Sequence, residues 1–459
     1  MQKTEANQVL KRITAILIVL VLLLSCVCIA QAKTYKTLKR GSSGIAVRKL
    51  QTALKKQEYY SGKIDGIYGK STVTSVKAFQ KANGLKSDGI AGPKTQEILY
   101  ENNTSSGSNS NIPASALSLL ESMRKKSKAV CGTLLLSKNG KTFLSYSFGG
   151  ASEKTCFRIA SITKWVTAIG LMTLYDAGKL DLDRDIGKYL GVKVRNPAFP
   201  DVPITARMLL SHTSSLSAKA SNYHPDWNRI GKDGYNPIFD QKTKPGTKYV
   251  YADYNGALFG ALIEAITKQP VQTYMNKKVF KPLGITAAYS PKFLPSGTPT
   301  KDLLNKKGKV AISVKKDRTR KYNNKADPLG NNGYTVGKLY ISAQGLTKLA
   351  QMMYYGGSLN GKRILEASTV KLMESDQPGL ADSRYGLGTV RLDNFDRGTW
   401  YGHQGRYSGL TSNIYYQRET GITMALIMDG YSYKLTDNIV NPAVTILTNM
   451  EKLEEICMK

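Results

Sequence analysis

Histidine is almost missing from this chain. Its 459 residues include three histidines (His212, His224 and His403), five cysteines and three tryptophans. There is no His-Glu-x-x-His run, and the cysteines lack metal-like spacing, so no metal centre and no cofactor is expected. Cys26 and Cys28 fall in an apolar N-terminal stretch, leaving Cys131, Cys156 and Cys457, an odd number. A Gly-x-Ser-x-Gly elbow is absent too, which argues against an ordinary lipase fold. Acidic residues are scarce: Asp+Glu number 33 against 66 Lys+Arg, a net charge of +33. Such an excess favours anionic partners, whether nucleic acid, a membrane surface or an anionic wall polymer.

The N-terminus chooses among these. Lys3, Lys11 and Arg12 precede an apolar run over residues 13–30, and Ala30-Gln31-Ala32 offers small residues for cleavage. That layout predicts a secretory signal peptide, residues 1–32, cut after Ala32. Its 18 apolar residues could instead stay as a membrane anchor, and Cys26 after Leu23-Leu24-Ser25 is an alternative lipid site. In each case the rest of the chain is exported. Nucleic acid drops out as a partner, and the positive charge faces wall polymers or lipid headgroups.

What the chain does contain is enough length for two or more domains. Its 41% hydrophobic and 22% charged residues are ordinary for a folded soluble protein. Residues 38–100 carry a duplication. Asp65-Gly66-Ile67-Tyr68-Gly69 with Thr72 recurs 23 residues later as Asp88-Gly89-Ile90-Ala91-Gly92 with Thr95. Each Asp-Gly reads as a tight turn and each threonine as a helix start. Val47, Leu50 and Leu54 mark one amphipathic helix, and Val73, Val76 and Phe79 a second. Pro93 opens a short third. With Gly41, Gly44, Gln51 and the Phe79-Gln80 pair, this stretch resembles the type 1 peptidoglycan-binding domain. The resemblance implies a noncatalytic module whose motif residues are Asp65, Gly66, Asp88 and Gly89. Residues 101–113 have almost no apolar content and are expected to be a flexible linker.

The remainder, 114–459, centres on Phe157-Arg158-Ile159-Ala160-Ser161-Ile162-Thr163-Lys164. The residues that follow, 165–177, are apolar around nearly the whole circumference of a helix, the pattern of a buried one. Ser161 and Lys164 therefore share one face near its N-terminus. A serine hydroxyl is a weak nucleophile unless a neighbouring base takes its proton, and a desolvated lysine can be that base. Ser-x-x-Lys also occurs at Ser122/Lys125, Ser313/Lys316 and Ser368/Lys371. Only Ser161 opens a long buried helix.

Strand signals lie at both ends of this region. Two apolar runs meet at Asn139-Gly140, a hairpin signal, and a second hairpin turns at Glu419-Thr420-Gly421. A helix over residues 435–455 is expected to close the chain. This order predicts an antiparallel sheet assembled from the two ends with a helical subdomain inserted between them. The basic segment 306–325 reads as a solvated insertion, with contact to an anionic polymer or membrane as the alternative.

Two further motifs single out Ser161: Pro245-Gly246-Thr247 leading to Tyr251-Ala252-Asp253, and His403-Gln404-Gly405-Arg406 before the last hairpin. The order Ser-x-x-Lys, Tyr-x-Asn/Asp, His-x-Gly resembles the serine beta-lactamase and penicillin-binding superfamily. The branch holding class C beta-lactamases and D-alanyl-D-alanine carboxypeptidases is the most similar one. Leu209-Leu210-Ser211-His212-Thr213-Ser214 and Tyr385-Gly386-Leu387-Gly388 fit that branch as well. The resemblance implies an α+β fold of the beta-lactamase/transpeptidase type: an antiparallel sheet flanked by helices, behind a small three-helix wall-binding domain. It implies Ser161 as acylated nucleophile, Lys164 as its base, Tyr251 as proton shuttle and His403 as a donor beside the tyrosine. The backbone N–H groups of Ser161 and Arg406 would form the oxyanion hole, with Gln404 and Gly405 lining the substrate.

Asp253 stands where that pattern has Asn, and Ser215 where it has Gly. A carboxylate cannot donate to a substrate carbonyl as an amide does; Asp253 is expected to hold Lys164 instead. Arg406 is a candidate ligand for a substrate carboxylate. His212 is read as organising a turn, and His224 as rim. The activity implied is D-alanyl-D-alanine carboxypeptidase or endopeptidase action on peptidoglycan. A beta-lactamase and an esterase or D-aminopeptidase on the same fold are the alternatives.

Overall fold

The computed structural model describes residues 35–56, 59–82, 85–96, 99, 109, 112–220, 224–320, 322, 325–330, 333–377, 385–393, 397–431 and 442–458. The expected export segment with Cys26 and Cys28, most of the expected linker and the start of the closing helix lie outside them. The chain divides into two compact units, 1–104 and 105–459.

In the first unit, α1 (Ile45–Lys56) and α2 (Lys70–Ala82) are followed by a helical turn at 93–96. Val47, Leu50, Leu54, Val76 and Phe79 are buried together, as their spacing predicts. The duplication has a physical basis in two buried glutamines. Gln51 Nε2 donates to Asp65 Oδ1 (2.8 Å) and Ile67 O (3.0 Å), while its Oε1 accepts from Gly66 N (2.8 Å). Gln80 repeats this with Asp88 Oδ1 (2.9 Å), Ile90 O (2.9 Å) and Gly89 N (2.8 Å). Gly66 and Gly89 sit at φ +77° and +75°, a region glycine enters without the Cβ penalty. Asp65 and Asp88 each also accept from the backbone N–H two residues on, which holds both carboxyls below their usual range. The Asp-Gly residues therefore serve the turns. Thr72 and Thr95 do not open helices; their hydroxyls lie 3.2 and 3.3 Å from the same glutamine amides.

The second unit is built on a six-stranded antiparallel sheet. Its strands are β1 (Cys131–Lys138), β2 (Lys141–Phe148), β5 (Val390–Leu392), β6 (Trp400–Tyr407), β7 (Leu410–Gln417) and β8 (Ile422–Asp429), in the order β5-β6-β7-β8-β1-β2. The β8–β1 pairing, with Leu134 opposite Leu426, joins the two ends of the region. Asn139 and Gly140 (φ 48° and 81°) make the left-handed two-residue turn that suits the twist of a hairpin. Side chains alternate across the sheet with period two. Leu135, Ala425 and Ile427 face a core shared with α4 (Ile162–Asp176), α5 (Asp253–Thr267) and α7 (Ala343–Tyr354). Leu134, Leu136, Met424 and Leu426 face the other way, onto α3 (Ala114–Ser127) and α9 (Met450–Met458). Burying each such leucine stabilises the fold by about 1.5–3 kcal/mol.

Two expectations change. The described part of the closing helix is split into α8 (Pro442–Thr448) and α9 at Asn449, whose side chain donates to Thr445 O in competition with the helix backbone. The basic segment is solvated only in part. Lys306, Lys307 and Lys309 are exposed on a two-stranded ribbon, but Val314, Asp317 and Tyr322 are buried. Among the described linker residues, Asn109 pairs with the backbone of Ser147 on the sheet's edge strand (Nδ2 to O, 3.0 Å).

Replacing Gln51 by Leu leaves the Gly66 N–H buried without its acceptor. The expected cost is about 2–3 kcal/mol of stability, read as faster amide hydrogen exchange across 45–82 with exchange in the second unit unchanged. Unchanged exchange at Gly66 and Ile67 would show that the glutamine is not the clasp.

Candidate active site

The site forms where α4, α5, β6 and α6 (Tyr334–Gly337) meet. A short strand, β3 (Cys156–Arg158), pairs with β4 (Tyr340–Ser342) and leads into the turn before α4. Ala160 there has φ 48°, a strained conformation for a residue with a Cβ, directly before Ser161 at the N-cap of α4.

Lys164 is fully buried one turn into the helix. Its Nζ lies 3.0 Å from Ser161 Oγ, 2.9 Å from Val336 O and 2.7 Å from Asp253 Oδ1. As an ammonium it donates to all three. As a neutral amine it donates to Val336 and Asp253 and keeps its lone pair for the Ser161 proton, so the contacts suit both ends of a proton transfer. Gly256 makes room for this side chain: a Cβ there would lie 2.6 Å from Lys164 Cγ. Asp253 opens α5 with its side chain 49% exposed, where a carboxylate also suits the helix N-terminus.

Tyr251 stands two residues before Asp253, with Lys164 Nζ 5.3 Å from the centre of its ring. His212 stacks on that ring at 4.3 Å and 23°. His212 is fully buried at φ 56°. Its Nδ1 accepts from Ala252 N (3.1 Å) and faces Asn255 Nδ2 (2.8 Å), which leaves the proton on Nε2. It does organise a turn, since its carbonyl also accepts from Val250 N, and it is in addition a wall of the site. His403, buried on β6, has its ring 6.3 Å from that of Tyr251. Its Nδ1 is 2.6 Å from Gln404 O, which can only accept, so Nδ1 carries the proton and Nε2 accepts from Tyr385 Oη (2.9 Å). Neither nitrogen is directed at Tyr251 in this arrangement.

Gly405 lies against the nucleophile's own turn. A Cβ there would overlap Ile159 O and Ser412 Oγ and sit 3.1 Å from Ser161 N. Gln404 and Arg406 flank it, both exposed, opposite Asn413 and Thr411 in the β6–β7 ladder. His224 is exposed on a separate loop, 2.8 Å from Leu329 O. Val336 O, Gly256 and the Ala160 strain have no motif of their own in the sequence. Only the glycine directly after Asn255 hinted at close packing.

A hydroxyl in contact with a buried amine and a tyrosine nearby are the parts that acyl-transfer chemistry requires. Residues 118–442 match the Beta-lactamase family, and the chain belongs to that family of serine hydrolases. Residues 43–99 match the family described as "Putative peptidoglycan binding domain". "Protein flp" of Staphylococcus aureus (strain N315) is 30% identical over 166 residues, 34% of this chain. The match spans only 33% of that relative's length. A "Putative D-alanyl-D-alanine carboxypeptidase" of Salmonella enteritidis PT4 is 25% identical over 60% of this chain and 69% of its own. Among solved structures, an octameric penicillin-binding protein homologue from Pyrococcus abyssi shares the fold (TM-score 0.56, 22% identity, 74% of this chain and 76% of that one). So does the D-amino acid amidase of Ochrobactrum anthropi SV3 (TM-score 0.54, 20% identity, 74% and 98%).

Gly405→Ala is expected to push β6 away from Ser161 and to lower the rate of Ser161 acylation at least about a hundredfold. The stability cost is about 1–3 kcal/mol. A folded variant that acylates at the normal rate would remove Gly405 from the site.

Burial pushes His403 down to about 3 and His212 well below the usual histidine range; the nearby Lys164 charge acts in the same direction on both. Unfolded imidazoles take up protons below about pH 6.5 that the buried ones refuse. Stability is therefore complete above that pH. As the pH falls toward 3 it declines by about 1.4 kcal/mol per unit for each imidazole. Nitrogen-15 shifts are expected to show both rings neutral at pH 5, His403 with its proton on Nδ1. Titration of either near 6.5 would contradict this.

Proposed function

We propose that this is an exported hydrolase of the penicillin-binding type that cleaves peptidoglycan stem peptides as a D-alanyl-D-alanine carboxypeptidase or endopeptidase. The observation that carries the reading is Lys164 Nζ at 3.0 Å from Ser161 Oγ in a chain that also carries a peptidoglycan-binding domain. Ser161 Oγ attacks the peptide carbonyl while its proton passes to Lys164. The tetrahedral oxyanion is received by the N–H groups of Ser161 and Arg406, donors that in other acyl-transfer enzymes are worth about 3 kcal/mol each. Tyr251 delivers its phenolic proton to the leaving amine and afterwards takes one back from the attacking water, while Lys164 returns its proton to Ser161 Oγ as the acyl group leaves. His403 stays neutral and fixes the Tyr385 side of the pocket. Asp253 is committed to Lys164, so the substrate carbonyl has no donor from this position.

Export is part of this reading, supported by the basic-apolar N-terminus that resembles a signal peptide cut after Ala32, with a membrane anchor as the alternative. Among the described residues no helix is long and apolar enough to cross a membrane. Peptidoglycan is the partner of the first unit, and anionic wall polymers or lipid headgroups are candidates for the charge. Beta-lactam hydrolysis and ester or D-aminopeptide hydrolysis are the other outcomes this site can support.

D-Alanine release from a muramyl pentapeptide is expected for the wild-type chain and is expected to fall at least about ten-thousandfold in Ser161→Ala. No release from the wild type, with beta-lactam or ester turnover instead, would overturn the peptidase reading.

A further inference from the structure

One cation, on the segment that packs against the Ser161 turn, takes no part in this chemistry. Lys338 continues the segment whose carbonyl, Val336 O, holds Lys164. Its neighbours on either side touch the Ser161 turn: Gly337 packs against Ala160, and Leu339 O accepts from Ile159 N (3.0 Å). The Lys338 ammonium lies 4.4 Å above the Tyr334 ring and has no carboxylate partner among the described residues. It is partly buried, and burial lowers its pKa, with Arg158 and Arg320 acting in the same direction and Asp317 opposing them.

Those two arginines share Asp317. Arg158 lies 3.8 Å from one carboxylate oxygen and Arg320 3.1 Å from the other, and Tyr340 Oη also donates to it (2.7 Å). Arg158 further donates to Gly337 O (2.9 Å) and covers the ring of Tyr407, next to Arg406, at 5.4 Å. Three cations thus crowd around one carboxylate on the rim of the Ser161 turn. Holding an unpaired ammonium there costs free energy that a bound anion would offset.

We propose that Lys338, backed by Arg158, forms a cationic subsite that receives a carboxylate of the substrate beside Ser161. This rests on the stem-peptide reading, in which the carboxylate is either the C-terminal one or that of an acidic residue within the stem. Arg158 is already engaged by Asp317 and Gly337 and shapes the field. Lys338 has donors to spare and makes the contact.

The test uses the full chain and Lys338→Met, with Lys338→Arg as the charge-retaining control. Two p-nitrophenyl esters, mono-p-nitrophenyl glutarate and its methyl ester, report Ser161 acylation. The ratio of kcat/KM for the charged ester over the neutral one is expected to fall about thirtyfold in Lys338→Met. Lys338→Arg is expected to keep most of it, and added salt to erode the wild-type ratio. An unchanged ratio in a folded Lys338→Met overturns the subsite. Pentapeptides amidated at the C-terminus, or at the internal acidic residue, identify the source: the loss of preference for the carboxylate follows only the one that Lys338 holds. A chain that releases no D-alanine but retains the ester preference would contradict the stem-peptide reading and leave the subsite standing.

Discussion

A fully buried lysine amine is the constraint on which the catalytic unit depends. Removing an amine from water without partners is expensive, so Lys164 requires an acceptor in each direction its hydrogens can take. The fold supplies three from three places: Ser161 one helical turn back, Val336 O from α6, and Asp253 from the start of α5. The two ends of the region pair as β1 and β8 and leave between them the helical part in which these elements pack on one another. Gly256 and Gly405 are small for the same reason. One clears the lysine stem, and the other lets β6 reach the nucleophile's N–H.

The surrounding rings complete that economy. His212 and His403 each direct one nitrogen to accept and the other to carry a proton, and each is held neutral by burial. No second positive charge therefore competes with Lys164 inside the pocket. Positive charge is instead displaced to the rim, where Arg158, Arg320 and Lys338 gather around Asp317. A neutral interior with a cationic edge suits a substrate that presents an uncharged carbonyl to Ser161 and an anion beside it. The first unit solves a smaller problem by repetition, with Gln51 and Gln80 each closing an Asp-Gly turn from inside.

Much of this was legible from residue order. The apolar circumference of 165–177 marked α4 as buried, and Asn139-Gly140 marked the first hairpin, because both signals are local. The pairing of Lys164 with Asp253 came from the resemblance, in which a carboxylate at the place of the family's amide can accept from the lysine but not donate to a substrate. Other features depend on distant residues. Val336 contributes a carbonyl, which every residue has, so no side-chain pattern could announce it. His212 was legible as a turn residue but not as a stacking wall, because the ring of Tyr251 reaches it only in three dimensions. The break at Asn449 escaped a reading based on apolar periodicity, which is blind to side-chain competition for backbone carbonyls. The cation excess on the rim was hidden within a chain that is basic throughout.

Ser161, activated by Lys164, is expected to become covalently acylated. Peptide mass mapping after brief exposure to benzylpenicillin tests it most directly. One adduct is expected, on the peptide containing Ser161, absent in Ser161→Ala and formed at least about a hundredfold more slowly in Lys164→Ala. An adduct on another residue, Ser122, Ser313 or Ser368 included, or an undiminished rate without the lysine, would contradict it.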